Sequence, residues 1–409
     1  MITQSWHYAR GGSIVLIIRN ITESHYEESL NLSSFAFQMS YSDDERTARR
    51  AKFRPEEKWG AFEGDQLMAQ LTLLPLTVYI NGRPIPMGGL AGVSTWPEFR
   101  RQGLVSKLLR HSLGVMRRDG QIISLLHPFE FDFYRRFGWE MFLEQRRYTI
   151  ASNLLPKRSQ APGTVVRLNQ PDTQTLSTVY EQYARRYNGM LSRNPQWWEE
   201  RIYVRKQGQI AVYRSESGKA QGYIIYDVKE SKMTVHELVC LNETARQSLW
   251  TFIANHDSMA KEVTMVAPMD DDLISILDNP RIKHEIIPYF MARIVDIEAF
   301  AANYPFASTE AVNELCIRIA DRDADWNNGF FRLQVDPQGV GTLTRIPDLR
   351  DEDNQHTVTC TIQTLTSMLM GYQRPKRLHQ LGRLAGNVDT VKVLERIVPS
   401  AQTFLYDFF

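Results

Sequence analysis

The stretch Val93-Ser94-Thr95-Trp96-Pro97-Glu98-Phe99-Arg100-Arg101-Gln102-Gly103-Leu104-Val105-Ser106 decides how this 409-residue chain is read. Pro86 to Thr95 reads as a strand, and Leu104 to Met116 as an amphipathic helix with apolar residues at 104, 105, 108, 109, 113 and 116. Between them lies a turn holding two arginines and a glycine. The first turn of a helix leaves backbone N–H groups without partners, and the helix dipole favours an anion there. Gly103 removes a Cβ where a phosphate would approach the backbone, and Arg100 and Arg101 add charge for it. Taken alone, the pattern also fits a plain strand-turn-helix with solvated arginines.

Upstream, Asn81-Gly82 is a hairpin signal, because a type I′ turn needs positive φ at both central positions. It joins a strand over Leu67–Ile80 to the one that ends at Thr95. Trp59–Phe62 with the Glu63-Gly64 turn predicts another strand, and polar caps near Thr22 and at Ser42-Asp43-Asp44-Glu45 open two helices. The apolar run Ile14-Val15-Leu16-Ile17-Ile18 is too short to span a bilayer or serve as a secretory core, and reads as a buried strand. Downstream, Ile122–Leu126 is a short buried strand. His127-Pro128-Phe129-Glu130-Phe131-Asp132-Phe133-Tyr134-Arg135-Arg136-Phe137-Gly138-Trp139 follows it.

Pro156–Gly163 reads as a linker. Beyond it the order repeats: a helix, strands at Ile210–Tyr213, Gly222–Val228 and Met233–Leu241, and a helix from Thr244. From about Met291 the pattern changes. Leu315–Ala320, Phe331–Val335, Gly341–Arg345 and Val358–Ile362 alternate and suggest an antiparallel sheet, with helices near Ile362–Met370 and Thr390–Ile397. Three domains are expected, over residues 1–155, 164–290 and 291–409, in a mixed α/β (α+β) chain.

Apolar residues make up 43% and charged residues 23%, and the formal net charge is +1. Such a balance offers no basic field for a nucleic acid. Three widely spaced cysteines, Cys240, Cys316 and Cys360, fit neither a disulfide framework nor a metal site, so no metal is expected. The sequence predicts a soluble, cytoplasmic protein with no membrane span.

Arg100-Arg101-Gln102-Gly103-Leu104-Val105 resembles the Arg/Gln-x-x-Gly-x-Gly/Ala signature of the GNAT acetyltransferases, with Val105 in place of the usual small residue. The resemblance implies acetyl-CoA as co-substrate. Val93, Ser94 and Thr95 would pair with its pantetheine arm through the backbone. Arg100, Arg101, Gln102, Gly103, Leu104, Val105 and Ser106 would hold its pyrophosphate, with Phe129 and Glu130 also on the cofactor side. Tyr-x-x-Phe-Gly-Trp, here Tyr134 to Trp139, is similar to the GNAT segment that presents a tyrosine to the cofactor sulfur. A thiolate leaving group has a conjugate acid near pKa ~8.5, and a phenol near ~10 can protonate it.

The chain ends on Phe404-Leu405-Tyr406-Asp407-Phe408-Phe409, an apolar terminus that predicts packing rather than fraying. Tandem GNAT domains with a smaller C-terminal domain and an aromatic end resemble the enhanced intracellular survival (Eis) family. This resemblance covers the chain from about Ile14. It implies splayed mixed sheets flanked by helices, a sterol-carrier-protein-like last domain, and a hexamer. It also implies that the α-carboxylate of Phe409 acts as general base, Tyr134 as general acid, and that the acceptor is an aminoglycoside, polyamine or lysine-type amine.

Arg246-Gln247-Ser248-Leu249-Trp250 reads as a decayed copy of the cofactor loop, with Ser248 at the place of Gly103 and Ile274 at that of Tyr134. The second domain is therefore expected to be structural, with Tyr187-Asn188-Gly189, Arg193 and Trp197-Trp198 at an interface or cleft edge. Acidic candidates for drawing a cationic amine are Asp43, Asp44, Glu130, Asp132 and Asp407, with Phe35, Phe37 and Trp96 as walls. The competing readings are a fold that senses acyl-CoA without turnover, and a lipid-binding protein.

Overall fold

A computed structural model describes residues 4–9, 13–347 and 356–409. It contains two large mixed sheets, a smaller third sheet, and a two-stranded ladder that fastens the C-terminal tail.

The first sheet is built from β1 (Gln4–Ala9), β2 (Ser13–Asn20), β3 (Lys58–Glu63), β4 (Gln66–Ile80), β5 (Arg83–Thr95), β6 (Ile123–Leu126) and β7 (Glu140–Met141). Leu16 and Ile18 of the early apolar run are buried as expected; the side chains of Ile14 and Val15 lie outside the described residues. Helix α1 spans Tyr26–Phe37 after a short 3-10 turn, and α2 spans Asp43–Arg50. The α2 cap is a full capping box: the Ser42 hydroxyl accepts from the Glu45 amide, and the Glu45 carboxylate accepts from the Ser42 amide. The β4–β5 hairpin turns on Asn81 (φ +46) and Gly82 (φ +77), the positive pair that a type I′ turn requires. Helix α3, Leu104–Arg118, buries Leu104, Leu108, Leu109, Leu113 and Met116 against this sheet. Helix α4 is the single turn Phe131–Arg135.

The sheets cross the expected boundaries at 155 and 291. Strand β8 (Glu144–Ala151) follows the first section in sequence, yet it hydrogen-bonds into the second sheet between β14 (Glu262–Ala267) and β15 (Lys283–Pro288). Strand β16 (Met291–Ile294) opens the third section in sequence, yet it lies between β6 and β7 in the first sheet. Strand β8 carries Gln145, Arg146 and Arg147 and β16 carries Arg293, so hydrophobic pattern alone assigns neither strand to a core. The remaining second-sheet strands are β9 (Thr164–Leu168), β11 (Gln209–Arg214), β12 (Ala220–Lys229) and β13 (Lys232–Cys240), with α5 (Thr173–Ala184) packed beside β12. Strand β10, Tyr187–Asn188, stands apart from that sheet.

The third sheet runs in the order β19 (Gly341–Ile346), β18 (Gly329–Val335), β17 (Asn313–Ala320), β20 (Thr357–Thr361). It is not all antiparallel: β20 lies parallel to β17, pairing Ile317 with Val358 and Ile319 with Cys360. Alternation along a strand reports its buried face but not its neighbour's direction. One buried cluster joins all three sections, including Leu74 and Phe142 from the first, Tyr180 and Trp198 from the second, Ile317 and Leu365 from the third, and the tail residues Phe404 to Tyr406 and Phe409.

Candidate active site

Two departures from regular pairing open the first sheet at β5. Toward β4 the register slips, so that Gln70 faces Ser94 while Thr72 faces Ala91, and Gly92 takes φ +59 at this bulge. Toward β6 the parallel pairing runs only from Met87↔Ile123 to Leu90↔Leu126. Past Leu90 the strands part, and Val93, Ser94 and Thr95 have no strand on that side among the described residues. Unpaired strand backbone of this kind accepts another extended chain. The buried Thr95 hydroxyl also lacks a hydrogen-bond partner among the described residues.

The turn after β5 places Pro97–Phe99 in a 3-10 turn, Arg101 at φ +62 and Gly103 at φ +77 as the cap of α3. No side chain caps this helix, and the amides of residues 101–106 find no acceptor among the described residues. Arg100 and Arg101 are exposed and form no ion pair with a described residue. Gln102 only returns a bond to the Glu98 carbonyl, 3.2 Å. A row of free amides with two uncommitted guanidinium groups can receive an anion. The reason for glycine at 103 differs from clearance: a Cβ there would touch nothing within 4 Å, but the left-handed backbone disfavours any L side chain.

Tyr134, on α4, is 3% exposed and belongs to the buried cluster of Leu90, Leu126, Leu104 and Leu108. Its ring meets Phe129, Phe133 and Trp139 at centroid distances of 5.3, 5.2 and 6.5 Å. Its hydroxyl forms no hydrogen bond to a described residue, and burial pushes its pKa above the ordinary phenol value. Phe129 is 71% exposed beside it, and Glu130 is exposed at the start of α4.

From the other side of β5 comes the tail. A Cβ on Gly89 would lie 3.0 Å from the Phe409 ring and 2.8 Å from Leu76. Side chains at 89 and 90 point to opposite faces, so Phe409 and the cluster holding Tyr134 flank β5 at consecutive residues. The tail is held throughout. β21 (Gln402–Thr403) pairs with β10, Gln145 donates to the Leu405 carbonyl at 2.7 Å, and Tyr289 donates to the Asp407 carbonyl at 2.9 Å. Asp407 accepts from Arg193 and, at 2.7 Å, from the Trp197 indole. Tyr187-Asn188-Gly189, Arg193 and Trp197 are thus the tail's mooring. The signal for this contact is Gly88-Gly89 inside a long strand, where glycine marks a close approach.

Of the acidic candidates, Asp407 is consumed by this mooring and Asp132 by Arg136 at 2.7 Å, while Asp43 and Asp44 are exposed at the start of α2. Phe35 is 51% exposed and meets the Trp96 ring at a tilt, centroids 5.3 Å apart; Phe37 is also exposed.

The second sheet repeats the splay, with β13–β14 pairing ending at Val235↔Met265. Two features close it. The Tyr406 hydroxyl donates to the Leu238 carbonyl at 3.0 Å and accepts from the Leu238 amide at 3.4 Å, occupying the parted edge. The following helix, Glu243–Ala254, starts right after β13, and the Asn242 side chain accepts from the Ala245 amide. Ser248 therefore sits inside that helix and is not the counterpart of Gly103; the capping position is Asn242. The loop is missing rather than decayed. In the third section, the apolar interior lined by Ile294, Phe300, Leu333 and Leu365 has room for about one water, ≈ 20 Å³. Among the described residues, no helix is long and apolar enough to cross a membrane, and no group of side chains could hold a metal ion.

Residues 17–142 match a GNAT acetyltransferase domain, residues 189–294 a second GNAT acetyltransferase domain, and residues 297–406 a sterol carrier protein domain. The chain is similar to an uncharacterised N-acetyltransferase of Streptomyces avermitilis, 25% identical over 90% of this chain and 92% of that one. Another, from Streptomyces griseus, is 25% identical over 90% and 93%. Among solved structures, a conserved protein of unknown function from Enterococcus faecalis superposes with TM-score 0.89 at 27% identity, over 96% of this chain and 99% of that one. Eis1 from Mycobacterium abscessus shares the fold with TM-score 0.79 at 19% identity, over 96% and 100%. The chain is an acyl-CoA-dependent N-acetyltransferase of the GNAT class, two GNAT domains followed by a sterol carrier protein domain.

Proposed function

We propose that the first GNAT domain carries the single active site and transfers an acetyl group from acetyl-CoA to a primary amine. Acetyl-CoA supplies the activated thioester. The open edge at Val93–Thr95 holds its extended arm, and the amides of residues 101–106, with Arg100 and Arg101, hold its phosphates; Phe129 and Glu130 border the same side. The amine nitrogen attacks the thioester carbonyl, so that the N–C bond forms and the C–S bond breaks. Tyr134 delivers its phenolic proton to the departing sulfur. The α-carboxylate of Phe409 takes a proton from the nitrogen. In water a terminal carboxyl ionises near pKa ~3.3–3.7, a weak base, so it acts once bond formation has acidified the nitrogen.

The observation that supports this reading most is the meeting at β5, with a buried phenol free of hydrogen bonds on one face and the terminal residue packed on Gly89 on the other. Thiol release from acetyl-CoA with a panel of primary amines tests it. A chain lengthened by a few residues beyond Phe409 should stay folded and lose turnover; a fully active extended chain removes the terminal base. The hexamer belongs to the same reading, and light scattering on the purified protein measures it.

A further inference from the structure

The floor beside the tail is cationic. Lys58 on β3 pairs with Thr72 on β4, and Thr72 pairs with Ala91 at the β5 bulge. The Lys58 ammonium donates to the Thr72 hydroxyl at 3.2 Å, and that hydroxyl lies 3.4 Å from where a Cβ on Gly92 would stand. Arg201 stands over the Trp197 ring at 5.4 Å, and that ring is 6.3 Å from Phe409. Arg205 stands over the Phe408 ring at 5.0 Å.

None of these three cations has a carboxylate partner among the described residues. The carboxylates nearby form their ion pairs with other cations, Glu200 and Glu57 with the single Arg54 at 3.0 and 3.9 Å and Asp407 with Arg193 at 3.0 Å. Glu57 also attracts Lys58 and Arg201, and Glu200 attracts Arg201. Burial lowers the Lys58 pKa to about 8, with Glu57 opposing and Arg201 adding to it, and burial and Arg205 lower that of Arg201 against the pull of Glu57 and Glu200. Crowded cations of this kind are stabilised by an anion that arrives with a ligand. Counting Arg54, four cations face Glu57, Glu200 and the Phe409 carboxylate, so this wall keeps an excess of one positive charge. An acceptor that brings more positive charge to this wall meets like-charge repulsion.

Resting on the reading of the first domain as an amine acetyltransferase, we propose that its acceptor is a small primary amine that also bears a carboxylate or phosphate, with Lys58 and Arg201 binding that anion. Gly89 under Phe409 and Ala91 beside Thr72 are two residues apart on β5, about 7 Å at 3.3–3.4 Å per residue. That spacing suits an ω-amino acid or a side-chain amine better than an α-amino group adjacent to its own carboxylate.

The test compares four acceptors of similar length in thiol release: 6-aminohexanoate, an aminoalkyl phosphate, hexylamine and 1,6-diaminohexane. The anionic amines should exceed hexylamine and the diamine in kcat/KM by about tenfold or more, one charge-assisted contact. The first two distinguish carboxylate from phosphate. In Lys58→Met and Arg201→Met that ratio should collapse toward one, while Lys58→Arg restores part of it and the exposed Lys392→Met keeps it. A wild-type preference for the diamine, or an undiminished ratio in both Met variants, overturns the proposal while leaving amine acetylation standing. If no amine is acetylated, the activity reading fails first, and calorimetry decides the anion site alone. Binding of 6-aminohexanoate over hexylamine, lost in Lys58→Met, supports it; equal binding ends it.

Discussion

The Asp407 carboxylate lies 3.0 Å from the Arg193 guanidinium, with both side chains closed to solvent. Arg193 is in turn held by Glu237 at 2.6 Å, and Lys206 joins Glu237 and the Tyr406 carbonyl. The second GNAT domain thereby uses its buried charges to fix the end of the chain two residues before Phe409. Asp407→Ala leaves Arg193 and the Trp197 indole short of a partner, a change that costs about 3–5 kcal/mol when a buried pair is broken. Thermal unfolding should show that loss. In thiol release, kcat should fall about tenfold or more while the KM for acetyl-CoA moves less than about twofold, because no hydrogen bond, ion pair or ring contact joins the tail to residues 101–106 among the described residues. A stable variant with normal kcat would detach the tail from the chemistry.

Tyr134→Phe removes a hydroxyl that no described residue needs for folding, so stability should change little and kcat should drop by about 10²-fold or more, the range of a lost general acid. The pH profile separates this role from packing. Burial disfavours the phenolate and raises the Tyr134 pKa, so the group stays protonated, and able to donate, through the whole range from neutral to pH ~10. Wild-type kcat should therefore hold level over that range, and the variant should keep the same profile at a lower plateau. An unchanged kcat in Tyr134→Phe would contradict the assignment.

The loop over residues 100–106, proposed to hold the cofactor, was legible because its pattern is local. The strand, the arginines, Gly103 and the helix follow one another, and the structure keeps that order with the expected hairpin at Asn81-Gly82. What the sequence hides is anything made by distant segments. Phe409 on Gly89 and Tyr406 on Leu238 join residues from opposite ends of the chain. Lys58 and Arg201 look like ordinary surface charges until β3 and the segment after Trp197 converge. The second domain shows the opposite failure. Aligning Arg246 with Arg101 followed residue types, but the helix there begins at Glu243, and only the backbone reveals that Asn242 is the cap.

That cap yields a paired prediction. Gly103→Ala puts a side chain on a left-handed residue, a local cost of roughly 1 kcal/mol, and should turn the amides of residues 104–106 away from the phosphates proposed to bind there. The KM for acetyl-CoA should rise about five- to tenfold with little loss of thermal stability. Ser248→Ala lies within a regular helix, where alanine is favoured, and should leave that KM unchanged. A shift of KM in Ser248→Ala comparable to that in Gly103→Ala would mean that the second domain also binds the cofactor.

Tyr134 is tied to the third section through Arg293. Arg293 on β16 is fully buried, donates to the Phe137 carbonyl, and binds both oxygens of Asp321 at 2.9 and 2.8 Å. Phe137 and Trp139 in turn donate their amides to the Tyr134 carbonyl at 3.0 and 3.3 Å, so the turn that presents Tyr134 hangs on a guanidinium held by the domain after it. Asp321→Ala leaves that charge buried and uncompensated, at about 3–5 kcal/mol. Asp321→Asn keeps the hydrogen-bonding shape and should lose less. If the clamp positions Tyr134, kcat falls in the order wild type, Asn, Ala, with the acetyl-CoA KM nearly constant. The emission of Trp139, buried 5.4 Å below the Arg293 guanidinium, should shift in the same order. Destabilised variants with unchanged kcat at a temperature where they remain folded would reduce Arg293 to a structural tie between domains.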